Sequence, residues 1–194
     1  MAPTSGFIRS SHGRSTFWAM PDTWITDEMR AIIGREYGVP RRSVPISLSD
    51  IRKWALAIYY PEVPPRLFWD EEYAASTRHG GVVAPEEFNP FAWFTADGPV
   101  MPPTYEGEVR GGDMEQAFGV DGPATSYIMN GGIEMVHGAR MRPGDVISSG
   151  FTKLLEYRER ETRLGLMLFS ITETTWTNQD DEMVRITRGT GIRY

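Results

Sequence analysis

Of the 26 acidic residues and three histidines in this 194-residue sequence, four stand as candidates for proton transfer or binding. Glu62 stands in a proline-rich turn, His79 in the loop TRHGG, Glu86 directly after Pro85, and Glu134 in GGIE. A carboxylate or imidazole within reach of a substrate works as a general acid or base. Turn carboxylates and loop histidines are more often solvated than catalytic. Glu62, His79 and Glu86 therefore stand as fallback candidates for catalysis. Glu86 would serve equally as an acidic residue at a helix start, and Glu134 as a strand-start residue bonding backbone or a bound molecule. The chain has no cysteine, which excludes disulfides, thiolate nucleophiles and thiolate metal sites. His12, His79 and His137 are too scattered for a histidine metal centre, so no metal is expected.

Hydrophobic spacing predicts the elements that hold these groups. Ser47 and Asp50 have the S-x-x-D spacing of a capping box, which marks a helix start. Ile51, Trp54, Ala55 and Ile58 then share one apolar face, with Arg52 and Lys53 turned away. Pro61, Pro64 and Pro65 end the helix, because proline lacks a donor N–H and disfavours helical geometry in the residue before it. A rigid turn leads into Leu67-Phe68-Trp69-Asp70. A shorter helix is predicted over residues 26–37, with Asp27 and Glu28 in its first turn, Met29, Ile32 and Ile33 on one face, and Gly38 as the stop. Residues 146–157, 164–176 and 183–192 are rich in β-branched, aromatic and leucine side chains and predict three long antiparallel strands. Arg158-Glu159-Arg160-Glu161 and Asn178-Gln179-Asp180-Asp181 read as the hairpin turns between them. The apolar run of residues 164–171 predicts a central strand covered on both faces. In the last strand Val184, Ile186 and Ile192 alternate with Arg185, Thr187 and Arg193, which predicts one wet face.

The helix, the proline turn and the residues after them resemble the MaoC-like hydratase and dehydratase family, in which a helix precedes D-x-N-P-[LIV]-H-x-D and a Tyr-Ala pair. Here Leu67-Phe68-Trp69-Asp70 stand in the place of L-H-x-D, and Tyr73-Ala74 follow. Gly80-Gly81-Val82-Val83-Ala84-Pro85 is similar to the GG-I-A-P stretch of the FAS1-like (MaoC N-terminal) dehydratase branch, where catalytic relatives have I-A-H-G. Gly131-Gly132-Ile133-Glu134 and Arg142-Pro143-Gly144-Asp145 resemble that branch's GG-x-E and R-P-G-D stretches. The resemblance covers about residues 47–194 and implies an α+β fold, a single hot-dog domain with an antiparallel sheet wrapped around a central helix. It also implies a loss of chemistry. Phe68 occupies the place of the catalytic His, and Val63 or its neighbours that of the catalytic Asp. Hydrating a 2,3-enoyl thioester takes a base for water, an acid for C2 and N–H donors for the enolate-like oxygen. Phe supplies none of these, and Pro85 lacks the N–H that the glycine of I-A-H-G offers. The resemblance thus implies that no catalytic residue is expected.

Residues 1–22, rich in Ser, Gly and Pro, read as a flexible N-terminal arm that Phe17 and Trp18 would anchor, and residues 23–194 as the domain. A Gly/Pro-rich insertion at about residues 95–128 would be a lid, a partner contact or a floppy loop. Composition, 40% hydrophobic and 24% charged, fits one compact domain. No apolar run approaches the ~20 residues that span a bilayer, and the chain's start has no apolar signal core. No membrane is expected, and the cytoplasm is the expected compartment. A net charge of −6 without a basic stripe argues against nucleic acid, and Gly111-Gly112-Asp113 lacks the strand-to-helix context of a nucleotide-binding glycine motif.

In double hot-dog dehydratases, the resemblance implies, this type of domain lacks the catalytic pair, contributes the acyl tunnel and pairs with a hot-dog that carries Asp and His. The expectation is an acyl-binding, non-catalytic subunit of an (R)-specific enoyl-CoA hydratase or 3-hydroxyacyl-thioester dehydratase. That is a lyase of lipid metabolism, with an acyl-CoA or acyl-carrier thioester as substrate and no cofactor. A catalytic hot-dog subunit or self-association supplies the partner. Substrate-binding candidates are Tyr59, Phe68, Phe88, Phe91, Trp93 and Glu134, although such aromatics serve equally as plain core. Two alternatives stay open: a self-sufficient homodimeric hydratase or thioesterase using Glu62, His79 or Glu86, and a non-enzymatic acyl-binding module.

Overall fold

A computed structural model describes residues 22–101, 114–125 and 127–194. Most of the expected arm, with His12, Phe17 and Trp18, lies outside the described residues, as do Gly111-Gly112-Asp113 and much of the expected insertion. In chain order the elements are α1 (Asp27–Ala31), β1 (Glu36–Tyr37), β2 (Arg41–Arg42), α2 (Leu48–Tyr59), a 3-10 turn (Arg66–Phe68), α3 (Glu71–Ser76), β3 (Phe94–Thr95), β4 (Gly98–Pro99), a second 3-10 turn (Met114–Phe118), β5 (Ile128–His137), β6 (Ser148–Thr162), β7 (Gly165–Thr177) and β8 (Met183–Arg193). The main sheet runs β1-β6-β7-β8-β5, antiparallel throughout, with β2 also paired to β6.

α2 begins where its capping box predicts, with the Ser47 hydroxyl accepting from the Asp50 N–H at 3.0 Å. Ile51 and Ala55 are buried, whereas Ile58, on the same predicted face, is exposed. The first helix is shorter than predicted. α1 stops at Ala31, Gly34 turns the chain at φ +86°, and the backbone bonds to Leu154 of β6 through Gly34 N–H (2.7 Å) and Arg35 C=O (3.0 Å). Sheet pairing thus claims residues 34–37 that helical spacing assigned to a helix.

Arg158-Glu159-Arg160-Glu161 do not form a turn. They continue β6, and the turn is Arg163-Leu164, closed by Gly165 at φ +103° and by the Thr162 hydroxyl, which accepts from Leu164 N–H at 3.1 Å. Glu159 is held on one face by Thr23 and Trp24, so a charged run here marks alternating strand faces. The 178–181 turn forms as predicted, with Asn178 Oδ1 accepting from the Asp180 (3.0 Å) and Glu182 (2.9 Å) N–H groups. β5 is a fourth long strand. Glu134 lies within it and not at its start, and a bulge at Asn130/Gly132 shifts its register. A side chain at Gly131 would stand 2.8 Å from Ile192, which explains the glycine there. β7 is central, but Phe169 and Ile171 on its second face are only half-buried.

Two apolar clusters form the main core. One joins Ile51 of α2 to Ile46, Ala74, Phe88, Phe91, Ile147 and Val184. The other joins Met29 and Ile32 of the first helical segment, with Phe118 and Val120, to Leu154, Tyr157 and Leu168 of the sheet.

Candidate functional site

Strand register defines five cross-strand rows on one face of the sheet. In order they are Leu168-Arg193-Ile128, Tyr157-Ser170-Gly191-Asn130, Leu154-Thr172-Gly189-Ile133, Thr152-Thr174-Thr187-Met135, and Ser149-Trp176-Arg185-His137. The first two rows, and Leu154 of the third, lie under the Met29/Ile32 segment and the second 3-10 turn. The fifth lies under the loop of residues 88–91. There Phe91 meets Trp176 edge-on at 4.9 Å, and Arg185 donates to the Phe88 carbonyl at 3.1 Å. Between these covers the third and fourth rows form a groove. Thr172, Thr174, Thr187 and Gly189 are half-buried, and Ile133 and Met135 are 55% and 44% exposed. Rows on one face repeat every two residues, or about 6.8 Å, so the covered second and fifth rows are roughly 20 Å apart. At one end the groove meets a 190 Å³ cavity lined by Tyr37, Met114, Ile128, Ser170, Thr172, Gly191 and Arg193.

The last strand's predicted wet face is in fact this covered face. Arg185 and Arg193 are 4% and 6% exposed. Arg193 is bidentate to the fully buried Glu115 of the second 3-10 turn (2.9 and 2.6 Å) and donates to the Ser170 hydroxyl at 3.1 Å. Tyr157 donates its hydroxyl to the same carboxylate. Burial by itself would raise the Glu115 pKa, but the bonds from Arg193 and Tyr157 outweigh it and hold the carboxyl below its ordinary value. Burial, and then Glu115, push the Tyr157 phenol well up. Arg185 stacks on the Trp176 ring at 3.8 Å, and burial lowers its pKa. Both guanidiniums are thus placed by a partner that alternation alone does not reveal.

Phe68 ends the first 3-10 turn, buried with Ala55 and Val83 and packed by Tyr59, whose ring centroid is 5.9 Å away. Asp70, the fourth residue of that motif, caps α3 by accepting from Tyr73 N–H at 3.0 Å and pairs with Arg66 at 2.7 Å. Tyr73's N–H and then Arg66 hold its carboxyl below the usual range. Phe88 and Phe91 are both 2% exposed in the core, whereas Trp93 is half-exposed beside Trp54. Trp93 lines a separate 440 Å³ surface cleft with Val44, Lys53 and Phe94. Glu134 lies on the opposite face of the sheet, across from Arg188, which pairs with Glu173 at 2.7 Å.

Glu62 is exposed in the turn that leaves α2. No helix begins at Glu86. Residues 84–92 run through turns, and Glu86 pairs on the surface with Arg140 at 2.8 Å, which also donates to the Ala84 carbonyl at 2.7 Å. Backbone pairing of Ala84 N–H with the Met141 carbonyl at 2.8 Å draws this stretch out beside residues 139–142. His79 is half-buried nearby, and burial, then Arg78, Arg140 and Arg142, push its imidazole down. His79 and Glu86 therefore share Arg140 as a neighbour, and no hydrogen bond or ion pair among the described residues joins Glu62 to either. Spacing missed the groove residues, yet a signal was present: hydroxyl and glycine residues recur at period two at Thr172 and Thr174 and at Gly189 and Gly191.

Among the described residues no three His, Asp or Glu gather closely enough to hold a metal ion, and no helix is long and apolar enough to cross a membrane. A family model described as FAS1-like, dehydratase domain region, matches residues 31–187. Among solved structures, the chain is similar to the ChsH1-ChsH2 complex from Mycobacterium tuberculosis, with TM-score 0.57 and 18% identity over 81% of this chain and 83% of that one. It is similar to the C-terminally truncated HadBC (3R-hydroxyacyl-ACP dehydratase) complex from Mycobacterium tuberculosis, with TM-score 0.51 and 19% identity over 87% and 98%. A MaoC-like dehydratase gives TM-score 0.53 and 17% identity over 84% of this chain and 42% of that one. At these identities the likeness shows the fold, a single α+β hot-dog domain. No curated protein matches the chain.

Proposed function

This chain belongs to the FAS1-like dehydratase domain family, and from that premise we propose that it is the acyl-binding, non-catalytic subunit of an (R)-specific enoyl-CoA hydratase or 3-hydroxyacyl-thioester dehydratase. The observation that carries this reading is the groove over the third and fourth rows, which among the described residues is open between two covers and carries no acidic or histidine side chain. Threonine methyls and hydroxyls, Gly189, Ile133 and Met135 line it. Its nearest buried acid, Glu115, is already committed to Arg193 and Tyr157. In this reading the groove binds and desolvates the acyl group of a thioester, while Phe68, buried among Ala55, Val83 and Tyr59, stands in the motif place where hydratases of the family carry a base.

The acid and base then come from a second hot-dog. Two of the similar structures are complexes, and β5 offers an exposed edge along its whole length. The cytoplasm is the proposed compartment. The test is loss of enoyl absorbance across a panel of enoyl-CoA esters, with the purified chain alone and then with a hot-dog protein that co-purifies with it. Turnover only by the pair is the expected result; turnover by the chain alone would overturn the reading.

A further inference from the structure

A second site stands at the loop that joins α3 to residue 82. In a chain of net charge −6 this loop and the neighbouring segment of residues 140–142 bring together Arg78, His79, Arg140 and Arg142. Arg78 Nε lies 3.4 Å from His79 Nε2, and Arg142 Nη1 lies 4.0 Å from where a Cβ of Gly81 would stand. All three guanidiniums are close enough to disfavour a further positive charge on His79. Two carboxylates stand beside them: Glu86 pairs with Arg140, and Asp145 accepts from the Arg142 backbone N–H at 2.7 Å. The loop is held in shape from within. Gly80, at φ +66°, donates to the Thr77 carbonyl at 3.0 Å, and His79 N–H donates to the Thr77 hydroxyl at 3.2 Å. Arg78 and Arg142 are exposed, so their charge faces water. The patch also has a physical link to the motif region, because the chain runs from Gly81 directly into Val82 and Val83, and Val83 packs on Phe68.

Three guanidiniums against two carboxylates, with the Arg78 and Arg142 heads held by neither, attract a multiply charged anion, and guanidinium is the side chain best matched to phosphate oxygens. We propose that Arg78 and Arg142, supported by Arg140 and the Thr77–Gly80 turn, seat the phosphate groups of a coenzyme A thioester. The proposal rests on the acyl-thioester reading for its ligand, and it names coenzyme A as the carrier.

The test uses two ligands with the same acyl group, a coenzyme A thioester and a phosphate-free pantetheine thioester, titrated by calorimetry against the wild-type chain and an Arg78→Ala/Arg142→Ala double variant. Both residues are exposed and their side chains hold up no other element, so the variant should fold; its unfolding midpoint is measured alongside. The expected result is that wild type binds the coenzyme A ester at least tenfold tighter than the pantetheine ester, that the advantage shrinks with added salt, and that it is lost in the variant. Equal binding of the two esters, or an advantage that survives in the variant, would overturn the proposal. A parallel titration with adenosine 3′,5′-bisphosphate, which carries no acyl group, reads the patch by itself. If the bisphosphate binds wild type and not the variant, the coenzyme A ester binds no tighter than the bisphosphate and the pantetheine ester does not bind, the phosphate site stands and the acyl reading falls. Absence of saturable binding removes the phosphate site whatever the acyl group does.

Discussion

Phe68 stands where the resemblance expects a catalytic histidine, and its surroundings are those of a packing residue. Enclosed at 7% exposure with Ala55 and Val83, it is part of the packing, and Phe68→Ala is expected to cost about 3–5 kcal/mol in urea unfolding at an unchanged m-value. Phe68→His places an imidazole among apolar neighbours with no orienting carboxylate; no enoyl-CoA hydration by the isolated variant is expected, and measurable turnover would show that only the histidine was missing. The sequence is readable where a role depends on near neighbours: the Ser47 cap needs only Asp50 three residues on. It is unreadable where a role depends on what covers a face. Arg185 and Arg193 alternate with apolar residues as solvent-facing arginines do, yet both are buried because Trp176, Phe88 and Glu115 come from distant parts of the chain.

Among the elements, the second 3-10 turn depends on one buried carboxylate. Glu115 fastens this turn to β8 through Arg193 and to β6 through Tyr157. Removing one partner of such a pair leaves an uncompensated buried charge, so Glu115→Ala is expected to destabilise by about 3–5 kcal/mol. Acid should act in the same direction. Glu115 has a folded-state pKa below its unfolded value, so its contribution is complete above the unfolded value and is lost as pH falls through the folded one. Unfolding midpoints measured at descending pH should therefore fall more steeply for wild type than for Glu115→Gln, and parallel curves would remove Glu115 as the cause. Composition marked this region as Gly/Pro-rich, but it could not show that a single glutamate near its end ties the chain to the sheet. The charged run at residues 158–161 misled for a related reason: a two-residue turn closed by Gly165 leaves the charges to strand faces.

For the whole molecule, the open flank of the sheet matters most. β5 is exposed from end to end, with Met129 and Val136 at 42% and 52% on one face. An edge of this kind is ready to pair with another strand. Lysines at both positions should weaken association with the proposed hot-dog partner at least tenfold in size-exclusion or calorimetric titration, while leaving the chain's own stability within about 0.5 kcal/mol. Undiminished association would place the joint elsewhere. The fold was largely legible because motif spacing and strand patterning both point to it, whereas the groove arises from two covers that stop short of each other, which no local pattern encodes. Its floor has a further property. At Gly191 nothing lies within 4 Å of where a Cβ would stand, so Gly191→Ala should fit the strand and stabilise it by about 0.4–1 kcal/mol, yet the new methyl would enter the cavity beside Ser170 and Thr172. Robustness and reach are therefore opposed at that one position: if the proposed acyl groove is used, Gly191 sets the longest tail it admits, and a chain-length series of ligands should show a sturdier Gly191→Ala protein with a shorter limit.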